Sequence, residues 1–242
     1  VDVNALDWDG SWNTRDLGGM RAASGQTVRR GALIRSGNLA RLSAAGKAAV
    51  LEAGVGCVVD LRSGFELQLE ANPFADSSLY CHAPLMSDDE AAATAVTNAL
   101  NPLEMYVVML EMYRANIAAV LRAIADAPDG AGVVVHCHAG KDRTGLIVAL
   151  LLGLMGVSPD DIADDYARSD AHLQAQYAQW LEAQRDLDER AKLAVQLTAD
   201  RETMLGVLEF LNMQHGGVNK YLEACGLDAT TLGRLQWRLL NA

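Results

Sequence analysis

The sequence predicts an α/β fold: a central, mostly parallel sheet of four or five strands flanked by helices, followed by an all-helical C-terminal half. Two observations carry this. Val133-Val134-Val135 is a β-branched run that stops at His136, turns through a loop containing Gly140 and gives way to an unbroken apolar run, Leu146 to Met155. Residues of the first kind suit a buried strand and a run of the second kind suits a helix, so the order is strand, tight loop, helix. Shorter apolar runs at Ala32 to Arg35, Cys57 to Leu61 and Leu79 to Leu85 alternate with helical segments, as in crossover-connected parallel strands, and only helical patterns follow Gly156.

Taken in order, Trp8 to Arg41 mixes Gly, Asn and Arg with short apolar runs and reads as loops around one or two strands. Five arginines fall between Arg15 and Arg35, either as solvated loop charges or as partners for acids nearby. Ser43 caps a helix that runs to Ala53 and is stopped by Gly54 and Gly56. Asp60 and Arg62 stand where the strand Cys57 to Leu61 ends, and in open α/β sheets the carboxyl ends of strands face the ligand crevice. A short helix fits Gly64 to Glu70, and Ser87 to Ala95 is an acidic, alanine-rich turn and helix start. From Leu103 to Ala127 apolar residues recur at helical spacing, with Met105, Val108, Met109, Met112, Ile117, Val120, Leu121 and Ile124 on one face. Ser158-Pro159-Asp160-Asp161 opens a further helix through Arg168. Ala171 to Leu197 carries few large apolar groups and reads as exposed helix, a lid or helical hairpin around 158–198. Arg201 to His215, Val218 to Cys225 and Thr230 to Leu240 form three more helices.

Composition narrows the function. The 242 residues, half of them hydrophobic, suit one domain spanning 1–242. Acidic residues outnumber basic ones 31 to 20, for a net charge of −11, and no Lys/Arg cluster occurs, which argues against a nucleic-acid partner. No apolar run approaches the ~20 residues that span a bilayer, so integral membrane association is not expected. Cys57, Cys81, Cys137 and Cys225 show no zinc-like spacing; Cys57 and Cys81 read as core residues. A nucleophilic thiol favours a reducing, cytoplasmic home, while the start at Val1 leaves a removed leader and secretion open.

The chemistry concentrates in the loop after the valine strand. Cys137 and Arg143 close one strand-to-helix turn, and the N–H groups of His138, Ala139, Gly140, Lys141, Asp142, Arg143 and Thr144 lie between or beside them. A helix that starts there aims its positive end at the same point, which suits a phosphate-sized anion and favours the thiolate, the nucleophilic form of cysteine. Arg143 offers a planar fork that fits two phosphoryl oxygens. A nucleotide-binding loop of the Walker type is excluded, since Asp142 rather than Ser or Thr follows Lys141 and the first glycine of that pattern is missing.

His136-Cys137-His138-Ala139-Gly140-Lys141-Asp142-Arg143-Thr144-Gly145 resembles the signature of cysteine-dependent protein tyrosine phosphatases, in particular its bacterial branch. Asn13-Thr14-Arg15-Asp16-Leu17-Gly18-Gly19, Arg35-Ser36-Gly37 and Asp60-Leu61-Arg62-Ser63 resemble further blocks of that family, so the likeness runs nearly end to end. The resemblance implies a phosphatase fold with a helical C-terminus and a helical lid, Arg15 and Asp16 close to the phosphate loop, and a two-step hydrolysis through phosphocysteine without metal or cofactor. It also implies that Thr144 donates to the leaving thiolate. Three positions compete as general acid: Asp142 inside the loop, Asp60, and the Asp88/Asp89 pair on the loop after the third strand. Phosphotyrosine in a protein is the first substrate expected, with phosphoinositide headgroups or dual specificity as the alternative. Lys141 would pair with a second phosphate of such a headgroup. A rhodanese-like sulfurtransferase is the distant alternative. Oligomeric state leaves no mark on the sequence.

Overall fold

Strand β5 (Gly132–His136) lies at the centre of a five-stranded sheet ordered β1-β2-β5-β3-β4 in a computed structural model that describes residues 4–86 and 90–240. β2 (Leu33–Ser36) and β3 (Val55–Asp60) flank it in parallel, β4 (Tyr80–His82) runs parallel at one edge, and only the two-residue β1 (Arg15–Asp16) is antiparallel at the other. The sheet is therefore mostly parallel and five-stranded. Successive side chains of a strand point to opposite faces, and β5 shows it: Val133 and Val135 enter the larger core while Val134 enters a smaller one with Trp8, Ile34, Leu39 and Phe74. Burial on both faces is why these strands read as continuous apolar runs.

Helix α1 (Ala44–Glu52) is capped by Ser43, and α2 (Gly64–Leu69) by Ser63 in a reciprocal capping box with Glu66. α3 (Glu90–Thr97) follows the undescribed residues 87–89, where Asp88 and Asp89 fall. The helix read across Leu103 to Ala127 is in fact two, α4 (Pro102–Met112) and α5 (Arg114–Ala125). No Gly or Pro marks the break; Tyr113 leaves the helical region with ψ near 28° and buries its ring in the larger core. The break changes the direction of the apolar face, so Met112, expected on it, is 47% exposed.

The apolar run becomes α6 (Asp142–Leu154), buried almost throughout because the sheet covers one side and later helices the other. α7 (Pro159–Ala183) does not stop at Arg168 but continues as one helix, since Ser169 to Ala171 contains no breaker. Its first half is buried through Ile162, Tyr166 and Leu173, and its second half projects and turns into α8 (Leu187–Leu197), which has no buried residue. The pair is a helical hairpin. α9 (Arg201–His215), α10 (Val218–Ala224) and α11 (Ala229–Leu240) close the larger core at the expected positions. Among the described residues no helix is long and apolar enough to cross a membrane.

Candidate active site

The carboxyl ends of β2, β3 and β5 finish in one row, with Ser36 and Asp60 both in register with His136. Cys137 follows directly, 2% exposed, and the chain turns through residues 138–141 into α6. Gly140 makes the turn possible. Its φ is +69°, and a Cβ there would sit 2.3 Å from the carbonyl oxygen of Ser36, so any side chain would push the loop off β2.

Partners outside the loop fix which way its peptides face. The carbonyl of His138 accepts from Asn38 N–H (2.8 Å), those of Ala139 and Gly140 accept from Asn13 Nδ2 (3.1 and 3.0 Å), and Gly140 also accepts from Arg35 Nη2 (2.7 Å). In a planar trans peptide the N–H points opposite to the C=O. The N–H groups of Ala139, Gly140 and Lys141 therefore face away from those partners, toward the loop centre. At the start of α6 no side chain caps the helix, so its first N–H groups add to the same field.

Behind the loop lies a buried ionic lattice. Arg15 donates from Nε to Asp165 Oδ1 (2.7 Å) and from Nη1 to Asn13 Oδ1 (2.5 Å), while Arg35 donates from Nη1 to Asp165 Oδ2 (2.6 Å). Burial alone would raise the pKa of Asp165, yet the two guanidinium groups hold it down at about 2. Arg15 is linked to the loop through Asn13, and Asp16 organises a turn by accepting from Gly18 and Gly31 N–H.

Asp60 is fully buried, and its oxygens accept from Arg62 Nε and Nη2 (3.0 and 2.7 Å), Asn72 Nδ2 (3.0 Å) and Tyr80 Oη (3.3 Å), with His136 Nε2 at 3.3 Å. Burial opposes ionisation, but His136 and Arg62 hold its carboxyl well below the usual carboxylate range. Every oxygen has a partner inside the protein. Asp142, by contrast, is the first residue of α6, its side chain is 30% exposed, and its Oδ1 accepts from Tyr106 Oη at 2.6 Å. Tyr106 in turn shares a 2.6 Å hydrogen bond with Tyr166.

Arg143 is held by Glu66 in an end-on pair, Nη1–Oε2 2.6 Å and Nη2–Oε1 2.8 Å. Thr144 is buried, and its Oγ1 has no hydrogen-bond partner among the described residues. Lys141 stands at the end of the loop, just before α6. Its ammonium, 2% exposed, donates to the carbonyls of Gln196 and Thr198 at the end of α8 and lies 3.3 Å from Asp142, so it ties the loop to the hairpin instead of facing a ligand in solution. The negative end of the α8 dipole favours that placement.

The hairpin also brings aromatic groups over the loop. His138 stacks on Trp180 of α7 (centroids 5.4 Å, 29°) and meets Trp12 edge-on (6.5 Å), and Tyr177 lies beside Trp180 at 5.9 Å. Between α7 and α8 is an open cleft of about 580 Å³ whose lining, which includes Tyr177, Leu181 and Thr198, contains no loop residue. Sequence reasoning missed Glu66, Asp165, Trp12, Trp180 and Tyr106. Only Glu66 carried a local signal, as the third residue after a capping serine; Trp12, Trp180 and Tyr106 meet the loop, and Asp165 reaches it through Arg35, across chain separations that one sequence does not disclose.

A buried thiol at the end of a central parallel strand, inward-facing peptides and an arginine at the start of the next helix make an arrangement chemically suited to an oxyanion beside a cysteine. The chain belongs to the tyrosine phosphatase family, whose sequence profile matches residues 6–241. It is 30% identical over 275 residues to the triple specificity protein phosphatase PtpB of Mycobacterium tuberculosis, covering 96% of this chain and 98% of that protein. It is 38% identical over 173 residues to a protein of Cupriavidus necator assigned to the tyrosine-protein phosphatases, covering 68% of this chain and 62%, less than two thirds, of that relative. A tyrosine-protein phosphatase of Nostoc commune is 33% identical over 231 residues, covering 87% of this chain and 75% of its own.

Proposed function

We propose that this chain hydrolyses phosphotyrosine in proteins through a phosphocysteine on Cys137, with residues 1–242 acting as one catalytic unit. The observation that carries the reading is the loop itself: the peptides after Cys137 are turned by Asn13, Arg35 and Asn38 so that their N–H groups face the loop centre, and the Arg143 guanidinium is close enough to Cys137 for the two charges to interact. The Cys137 thiolate attacks phosphorus, the bond from phosphorus to the tyrosyl oxygen breaks, and the loop N–H groups with Arg143 hold the three equatorial oxygens. Asp142 supplies the proton to the departing phenolate. Water then attacks the phosphocysteine, the S–P bond breaks, Asp142 takes the water's proton, and inorganic phosphate leaves. Thr144 Oγ1, buried and without a hydrogen-bond partner among the described residues, is suited to donate to the thiolate released in this step.

Asp142 is preferred to Asp60 because a general acid has to reach the ester oxygen. Asp60 has both oxygens committed inside the protein, whereas Asp142 stands on the first turn of α6 with part of its surface open. Phosphotyrosine is preferred to a phosphoinositide headgroup on two counts. Trp12, His138 and Trp180 form an aromatic wall suited to a phenyl ring, and the Lys141 ammonium that would read a second phosphate is engaged by α8. A nucleophilic thiol is kept in its working form by a reducing compartment, which supports the cytoplasm as the location we propose. A substrate panel tests the reading. Hydrolysis of phosphotyrosine peptide should exceed that of phosphoserine peptide and of soluble phosphoinositide; preference for the phosphoinositide, lost in Lys141→Ala, would reverse it.

A further inference from the structure

Tyr106 comes from α4 and Tyr166 from α7, and their rings meet edge to face beside the start of α6, with centroids 6.1 Å apart. Both are buried in the larger core. Gly145 makes room for the second: a Cβ there would lie 3.1 Å from the Tyr166 ring, inside ordinary van der Waals contact. Two phenols sunk in a core need partners for their hydroxyls. Tyr166 finds one in Tyr106 at 2.6 Å, and Tyr106 finds a second in Asp142 Oδ1, also at 2.6 Å.

The direction of these bonds follows from counting hydrogens. A phenol has one to donate. Burial, with Asp142 and Tyr166 alongside, pushes the Tyr106 pKa well above its ordinary value, so this phenol keeps its proton. That hydrogen goes to Asp142, and the bond between the two phenols therefore takes its hydrogen from Tyr166. Asp142 Oδ1 also has the Lys141 ammonium at 3.3 Å, a group with donors only. An oxygen that faces two donors is a poor place for a proton of its own, whereas Oδ2 accepts no hydrogen bond among the described residues. A proton on Oδ1 would point at Tyr106 and into the core, away from any ester.

We propose that Tyr106 is the positioning residue of Asp142: its hydroxyl occupies Oδ1, so the acid's proton sits on Oδ2 and is the one handed to the departing phenolate. This rests on reading Asp142 as the general acid. In the first step the Oδ2–H bond breaks as the proton joins the tyrosyl oxygen; in the second, Oδ2 takes the proton of the attacking water, so the carboxyl ends as it began. Tyr106 touches neither substrate nor water, and its hydroxyl stays bonded to Oδ1 through both steps.

Tyr106→Phe keeps the ring in the core and removes only the donor to Oδ1. Assayed below the variant's own Tm, its kcat on a phosphotyrosine peptide should fall about tenfold with KM changed little, a part of the ~10²-fold that a general acid contributes. On an aryl phosphate whose phenol is more acidic, and needs less help in leaving, the loss should be under about twofold. Placed in an Asp142→Asn protein, which has no acid proton to position, Tyr106→Phe should cost less than a further twofold, since two groups acting through one proton are not additive. Tyr166→Phe removes an equally buried hydroxyl but leaves the bond from Tyr106 to Asp142, so it should lower Tm and keep the wild-type ratio of kcat on the two esters. A Tyr106→Phe peptide kcat within twofold of wild type would overturn the proposal, and so would equal losses on the two esters, a full tenfold loss in the Asp142→Asn protein, or the same change of ratio in Tyr166→Phe. Equal losses on the two esters in Asp142→Asn alone would instead overturn the acid assignment on which the proposal rests.

Discussion

Asp142 and Asp60 carry the same carboxyl group and are set to different tasks by their surroundings. Asp60, sealed among Arg62, Asn72, Tyr80 and His136, holds together the strand ends beneath the loop. Asp60→Asn leaves Arg62 buried beside a neutral partner and should destabilise the fold by about 3–5 kcal/mol, read as a drop in Tm, because breaking one half of a buried pair strands the other charge. Asp142→Asn should act on chemistry instead. Its kcat should drop by about 10²-fold on a phosphotyrosine peptide, whose leaving phenol has a pKa of about 10, and far less on an aryl phosphate with a more acidic phenol. Equal losses on both esters would remove Asp142 from the acid's role. Arg143→Lys should lose kcat as well as affinity, since an ammonium cannot form two parallel contacts; an unchanged kcat would leave the arginine a structural part only.

At the scale of elements, α7 does two jobs with its two halves. The buried half carries Asp165, which neutralises Arg15 and Arg35 and through them braces Asn13 and the Gly140 carbonyl; the projecting half carries Trp180 over His138. His138 is exposed on one side, and the desolvation it does undergo lowers its pKa, so a neutral ring stacks on the indole at neutral pH. Trp180→Ala should cut kcat/KM on a phosphotyrosine peptide by about tenfold while changing a phosphoserine peptide little, in line with the ~0.5–1.5 kcal/mol of an aromatic pair. Equal losses on both peptides would make the indole part of the scaffold and not of the specificity. Much of this architecture was legible in the sequence because it is local: the valine strand, the glycine loop, the apolar helix and the caps at Ser43 and Ser158 lie within short windows. The break at Tyr113 was not, since it follows from burying one ring, whereas the full length of α7 was readable from the absence of any breaker after Arg168.

Across the whole molecule, the loop's residues could be named from one stretch, but what holds them could not. Asn13, Arg35, Glu66, Tyr106 and Asp165 come from five separate segments, and only folding shows that they converge. That convergence ties global stability to pH. Asp165 and Glu66 both have folded-state values of about 2, below their unfolded values. Between roughly pH 4 and pH 2 the unfolded chain binds more protons than the folded one, so stability is fully present above that window and is lost as pH falls through it. Tm measured from pH 6 to pH 2 should be level at first and then fall, with a shallower fall in Asp165→Asn, whose carboxyl no longer titrates; an unchanged slope in the variant would assign the acid loss to other groups. The central claim is that Cys137 is the nucleophile of a phosphate-binding loop, and the most direct test is Cys137→Ser measured on a phosphotyrosine peptide for turnover and for binding together. Turnover should disappear while the peptide Kd stays within a few-fold of wild type, because the loop N–H groups and Arg143 remain; turnover within tenfold of wild type would contradict it.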